Sequence, residues 1–220
     1  MRIGVDVGGT HTDAVLLDAD DIKAACKELT SADVIGGVKA ALNNLSQQVG
    51  GLPDLDAVMI GTTQFTNAVV ERRELAKVAT IRIGLPSGRG LPPGVGWPED
   101  ILSALSGKSY ALPGGFLYDG RPLAEEDPEA IEACVADIVA KGLTNIAIAS
   151  AFSPANTEPE ERLAARIKEA LPEARITLSH EVGRLGLLER ENAAMLNAAL
   201  KPFAERVVEA FEGALQDFGI

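Results

Sequence analysis

The chain has 220 residues, enough for one large domain or two small ones, and 46% of them are hydrophobic, enough for a core. Its formal net charge of −12 argues against a nucleic-acid surface, which needs a basic patch to neutralise phosphates. It does not argue against a nucleotide, whose phosphates can be held by backbone amides. Cys26 and Cys134 are far apart and in no metal-ligand spacing, so they read as small hydrophobes of a reduced compartment. The start lacks a basic region followed by an apolar signal core. No apolar run approaches the ~20 residues that span a bilayer. The expectation is a cytoplasmic protein with neither nucleic acid nor membrane among its partners.

Ile3, Val5 and Val7 alternate with Arg2, Gly4 and Asp6, the period of a strand with one apolar face. Gly8-Gly9 turns the chain, and Thr12–Asp18 runs back. Asp6 ends the first strand, Thr10 and Thr12 add hydroxyls, and the turn adds backbone N–H groups that suit a phosphate. A carboxylate beside such a turn suits the water shell of Mg²⁺. A plain hairpin uses the same Gly-Gly, so the chemistry rests on the flanking Asp6 and Thr-x-Thr-Asp. Ile22–Leu29 predicts a third strand. Thr30-Ser31 with Asp33 marks a helix start. Val34, Val38, Leu42, Leu45 and Val49 give that helix an apolar face, and Gly36-Gly37 would let it pack closely on a sheet.

Ala57–Ile60 predicts a buried strand. It leads into Gly61-Thr-Thr-Gln-Phe-Thr-Asn67 and a helix. Hydroxyls where a strand gives way to a helix suit an anion or polar substrate. Thr62 and Thr63 serve equally as a helix N-cap. Val78–Ile83 is another strand. From Gly84 to Leu117 glycine and proline break every pattern except a short helix at Glu99–Leu105, with Trp97 as an anchor onto the domain. Arg89 and Lys108 there read as solvated charge.

Regularity returns at Asp127-Pro128, a cap followed by a first-turn proline. Ile131, Cys134, Val135, Ile138 and Val139 line the helix, which Lys141-Gly142 closes. Asn145–Ala149 is an apolar strand of the kind buried in parallel sheets. Thr157 and Glu160 have the spacing of a capping box, and Leu163, Ile167 and Leu171 line the next helix. Arg175–Leu178 is one more strand, so 127–178 alternates helix and strand. If Ser179–Val182 continues that strand, His180 and Glu181 face opposite ways, which disfavours a dyad between them, while Ser179 and Glu181 share a face. Leu187–Lys201 is helical. Pro202 interrupts or kinks it. Phe203, Val207, Phe211, Leu215 and Phe218 then form the strongest amphipathic stripe in the chain, which needs something to pack on.

Four stretches resemble the N-terminal region of the hydantoinase/oxoprolinase family, and they run nearly end to end: Arg2–Asp13, Ile60–Arg73, Ala149–Arg162 and Ser179–Ala198. Relatives include ATP-binding subunits of hydantoinases, 5-oxoprolinases and acetone carboxylases. The family usually shows an aromatic residue where this chain has His11, and Gly84–Leu117 departs from the larger members. The resemblance implies an α/β fold: a ribonuclease H-like lobe of the actin-like ATPase superfamily, with an N-terminal hairpin or meander and a further parallel α/β unit. The expected divisions are 1–83 as phosphate-loop subdomain, 84–126 as irregular insert, and 127–220 as α/β unit with terminal helices.

By that resemblance the whole protein is an ATP-dependent hydrolase opening a cyclic amide of hydantoin or 5-oxoproline type, with ATP and Mg (or Mn) as cofactors. Asp6 is the expected catalytic residue and orients the metal through water. Gly8, Gly9, Thr10 and Thr12 hold phosphates, Thr62, Thr63 and Asn67 lie on the substrate side, and Asp13 orders the hairpin. A sugar kinase lobe of the same superfamily, a ketone carboxylase subunit and a non-catalytic nucleotide-binding or assembly module are the alternative readings. Only one Asp-x-Gly-Gly-Thr loop is present. The segment alone is therefore expected to be inactive and to need a C-terminal lobe, a second subunit, or another copy of itself.

Overall fold

The structure, a computed structural model, describes residues 1–30 and 34–219. The helix start expected at Ser31 and Asp33 lies outside the described residues, as does the Val34 side chain. The chain divides into two compact units: Met1–Glu71 with Phe203–Ile220, and Arg72–Pro202.

The first unit is built on β1 (Arg2–Val7), β2 (His11–Asp18), β3 (Asp21–Leu29) and β4 (Ala57–Thr62), in the order β3-β2-β1-β4. β1–β2–β3 is an antiparallel meander, and β4 lies parallel to β1. The alternation seen in the sequence sets the faces. Ile3, Val5, Val7, Ala14 and Leu16 turn inward and are buried. They meet Val38, Leu42 and Leu45 from α1 (Val34–Val49). Gly37 shows why that helix carries a glycine. A Cβ there would stand 2.8 Å from Thr12 Oγ1, closer than packed atoms tolerate. α2 (Gln64–Glu71) follows β4.

The core of this unit is completed from the far end of the chain. Val207, Phe211 and Ala214 are buried in it, with Phe203, Leu215 and Phe218 packed against it. The Phe65 and Phe203 rings meet edge to face at 5.4 Å. The amphipathic stripe expected to seek another partner is therefore covered by the unit's own sheet and helix. Pro202 does not end the helix either, since α7 runs unbroken from Leu187 to Gln216 with the proline inside it.

The second unit carries a parallel sheet of β5 (Val78–Leu85), β6 (Ser106–Pro113), β7 (Asn145–Ser150) and β8 (Arg175–Leu178), ordered β6-β5-β7-β8. β5 is buried along nearly its whole length, as a central parallel strand should be. α4 (Pro128–Ala140) and α5 (Glu158–Ala170) cover one core, with Cys134, Ile138, Leu163 and Ile167 buried. Burial pushes the Cys134 thiol up to about 12, Asp137 adding to the effect, so this cysteine is the inert hydrophobe expected. α3 (Glu99–Leu105) and the buried residues of α7 as far as Ala199 form a second core with Val78 and Ala147, and Trp97 packs against it as the expected anchor.

Two expectations need correction. The boundary drawn at residue 83 falls at Glu71, because β5 pairs with β6 and β7 and belongs to the second sheet. The stretch 84–126 is not irregular throughout, since it contributes β6. Arg89 and Lys108 are exposed, as solvated charge should be. Among the described residues no helix is long and apolar enough to cross a membrane.

Candidate functional site

The loop after β1 is ordered by three hydrogen bonds. Gly8 N–H donates to His11 O at 2.9 Å, closing the turn. Thr30 Oγ1 donates to Gly8 O at 3.0 Å, and Thr30 N–H donates to Thr10 O at 3.0 Å. Glycine suits position 8, because a Cβ there would sit 3.0 Å from His11 O, a tight contact. Among the described residues the N–H groups of Gly9 and Thr10 find no backbone acceptor. Both residues are exposed, so the loop presents two amide donors to solvent.

Asp6 is exposed at the end of β1, paired across to Asp13 on one side and Gly61 on the other. It opens onto a shallow groove of about 580 Å³ on the sheet face away from α1, bordered by Gly4, Asp13, Val15, Met59 and Gly61. Asp13 is held by Lys27 from β3, with contacts of 3.0 and 3.1 Å to its two oxygens. It orders β2 against β3 and leaves Asp6 as the carboxylate nearest the loop.

The second motif comes to the same loop. Thr62 Oγ1 donates to Val7 O at 3.1 Å and accepts from Gln64 N–H at 3.2 Å, tying the end of β1 to the start of α2. Thr63 is exposed, and its carbonyl accepts from Asn67 N–H at 2.9 Å. The Asn67 carboxamide stands by the turn, where a Cβ on Gly9 would be 3.9 Å from Asn67 Nδ2. Thus Thr62 caps, Thr63 faces solvent, and Asn67 joins Gly9 and Thr10. Thr10 Oγ1 lies 3.1 Å from His11 Nδ1.

Thr12 does not present its hydroxyl. The residue is fully buried, and Oγ1 is 3.1 Å from Thr30 Oγ1 beneath Gly37. As one of the β2 residues that turn inward it positions the loop from below, so its hydroxyl is removed from the phosphate set. Among the described residues no cluster of three or more His, Cys, Asp or Glu side chains forms a direct metal cage. A single carboxylate beside free amides fits a magnesium ion that keeps its own waters.

A second polar cluster occupies the second unit and was not anticipated. Glu160 is fully buried in the first turn of α5. One of its oxygens accepts from Ser150 N–H at 2.8 Å and from Ser179 Oγ at 2.6 Å. The other meets His180 N–H at 3.3 Å and His180 Nδ1 at 2.8 Å. The expected capping box therefore does not form. Thr157 makes no side-chain cap bond, and the Glu160 carboxylate is taken up by its contacts to Ser150, Ser179 and His180. Ser179–Val182 is a helical turn, α6, and does not continue β8. This places Ser179 in the interior and Glu181 at the surface, so the two do not share a face. His180 takes its carboxylate from Glu160, 20 residues upstream, and not from Glu181. Buried Arg190 spans the cluster, donating to Ser179 Oγ at 3.2 Å and Ser150 O at 2.7 Å. Arg82 and Glu191, also buried, pair through both carboxylate oxygens. The apolar strand before Ser150 and the Glu-Arg-Glu run at 189–191 were the available signals, but neither reveals which groups meet.

Caprolactamase subunit alpha of Pseudomonas jessenii is 25% identical over 240 residues, covering 99% of this chain and 34% of that protein. The crystal structure of the ATP-dependent caprolactamase from the same organism superposes with a TM-score of 0.76 at 23% identity, over 100% of this chain and 34% of that one. An acetone carboxylase in a nucleotide-free structure gives 0.74 at 19% identity, again over 100% and 34%. The chain thus spans 34% of the length of these relatives. The fold is the mixed α/β fold of the matched third of those proteins. The family model for the hydantoinase/oxoprolinase N-terminal region matches residues 2–171, and with most of its length so matched the chain belongs to that family.

Proposed function

We propose that this chain is the N-terminal part of an ATP-dependent cyclic amide hydrolase and supplies one phosphate-binding loop to it. The observation that carries the reading is the pair of solvent-facing amides at Gly9 and Thr10 beside the exposed Asp6. Likeness to a caprolactamase subunit over 99% of the chain supports the amide side of it. ATP with magnesium or manganese would supply a phosphoryl group able to activate an amide oxygen. The chain's own residues position and balance charge. Gly9 and Thr10 N–H donate to phosphate oxygens, and the Asn67 carboxamide stands beside them. Asp6 holds the water shell of the metal by accepting hydrogen bonds from it. Thr12, Thr30 and Thr62 fix the loop and contribute no contact of their own. A second lobe and a second subunit complete the proposed enzyme.

The first prediction is made in the full-length protein, assayed with hydantoin, 5-oxoproline and caprolactam for amide-dependent ATP hydrolysis. Asp6→Ala is expected to lower turnover at least about 100-fold, the loss typical of removing a preorganised charge-stabilising group. Undiminished turnover in Asp6→Ala would overturn the loop assignment. Turnover of a ketone with bicarbonate, and of none of the amides, would replace the hydrolase with a carboxylase.

A further inference from the structure

The sheet of the second unit changes direction between β5 and β7. From β5 the chain adds β6 on one side, then crosses back to add β7 and β8 on the other. Ligands of open α/β sheets gather beyond the carboxyl ends of strands near such a point. Ser150, Ser153, Ser179 and His180 follow or end β7 and β8 at those carboxyl ends, and the third and fourth resemblance stretches supply all of them. Phe152, between the two buried serines, is held at φ 53°, a left-handed conformation that a bulky side chain seldom adopts and that favours a functional turn.

Glu160 orients the histidine. A carboxylate only accepts hydrogen bonds, so its 2.8 Å contact assigns the ring proton of neutral His180 to Nδ1. The lone pair is then on Nε2. The residue is 15% exposed and borders a groove of about 660 Å³ lined by Pro154, Thr157, Val182, Gly183, Arg184 and Leu185. Glu161 Oε1 stands 3.9 Å from Nε2. The other charged groups around the ring are Glu181 on its own turn, Arg184 in the groove, and Arg190 behind Ser179. A solely structural histidine would need only the Nδ1 side.

We propose that His180 is a proton-accepting residue, aimed by Glu160 into this groove, and that the groove takes a small molecule presenting an O–H or N–H group to Nε2. The proton leaves that group for Nε2, the imidazolium so formed is balanced by the Glu160 carboxylate, and the same proton is returned at the end of the cycle. Within the hydrolase reading, on which this part rests, an attacking water and a leaving ring nitrogen are the groups that give up and receive it.

The second prediction uses the full-length protein with three readouts. Long-range proton–nitrogen NMR, with His180→Asn identifying the resonance, is expected to show the Nδ1–H tautomer at neutral pH. Diethylpyrocarbonate, which acylates an unprotonated imidazole nitrogen, is expected to label His180, the site being located by peptide mass. In Glu160→Gln the carbonyl is held by Ser150 N–H and Ser179 Oγ, so the NH2 donor faces the ring, and the substitution is expected to slow that labelling at least tenfold. His180→Asn keeps a donor where Nδ1 stood and removes Nε2. It is expected to lower amide-dependent kcat at least about 100-fold with KM for ATP unchanged. An Nε2–H tautomer, no labelling, or a kcat within threefold of wild type would each overturn the proposal. If the wild-type protein turned over no amide, the hydrolase reading would fall, and the tautomer and labelling results would still decide the role of His180.

Discussion

Thr12 shows how one hydroxyl can be read two ways. From its spacing it belongs with Thr10 as a phosphate contact. In the folded chain it faces the interior, bonded to Thr30 and roofed by Gly37. The two roles give different mutational signatures. Gly37→Ala gains up to about 1 kcal/mol of helix propensity, yet its new methyl would stand 2.8 Å from Thr12 Oγ1. Overpacking of this kind costs about 1–3 kcal/mol. The third prediction is that Gly37→Ala is destabilising in urea unfolding. Combined with Thr12→Ala, the loss falls short of the sum of the singles by at least about 0.5 kcal/mol, since neighbours in contact couple. Strict additivity would place Thr12 away from the helix and return its hydroxyl to the loop surface. The site was partly legible at this scale. Asp6 and the glycines follow from strand period and turn chemistry. The inward direction of Thr12 follows from its register with Val7, which alternation alone also implies once the turn length is known. Glu160 was not legible, because its four contacts come from two stretches of chain, Ser150 and Ser179-His180, that are distant from it in sequence.

Elements were legible where burial is one-sided. β1 and β2 alternate cleanly, and the short helix Glu99–Leu105 was found at its observed ends. β6 was missed for a physical reason. It is an edge strand, most of its residues are exposed, and Ser106-Gly-Lys-Ser shows no apolar period. Its hydrogen bonds come from pairing with β5, a long-range event that leaves no local mark. The two helix starts of the α/β unit differ in the same spirit. Asp127 caps α4 through Oδ1, accepting from Glu129 N–H at 3.0 Å and Ala130 N–H at 3.1 Å. Thr157 has the better sequence signature but makes no such bond, while Asn156 Oδ1 accepts from Glu158 N–H at 3.0 Å. The fourth prediction contrasts them. Asp127→Ala should cost about 1 kcal/mol in chemical denaturation, and Thr157→Ala within about 0.5 kcal/mol of nothing. Equal costs would mean that Thr157 does cap, and that Glu160 is free to complete a capping box.

At the scale of the whole chain, the first unit is discontinuous. Its sheet and α1 come from the first 71 residues, but its core is closed by residues 203–220. The second unit lies wholly between Arg72 and Pro202, with its own buried strands β5 and β7. Burying a side chain such as Val207 or Phe211 contributes about 1.5–3 kcal/mol each. Losing both, with the cavity left behind, rivals the 5–15 kcal/mol that holds a typical domain together. The fifth prediction follows for a chain ended after Pro202, compared with residues 1–220 by amide hydrogen exchange. The β1 and β2 amides, which order the loop at Gly8–Thr10, should lose their protection. Those of β5 and β7 should keep theirs to within about tenfold, because each cooperative unit opens with its own free energy. Retained protection in β1 would show that the returning helix adds nothing to the first unit. Loss in both sheets together would show that the two units fold as one.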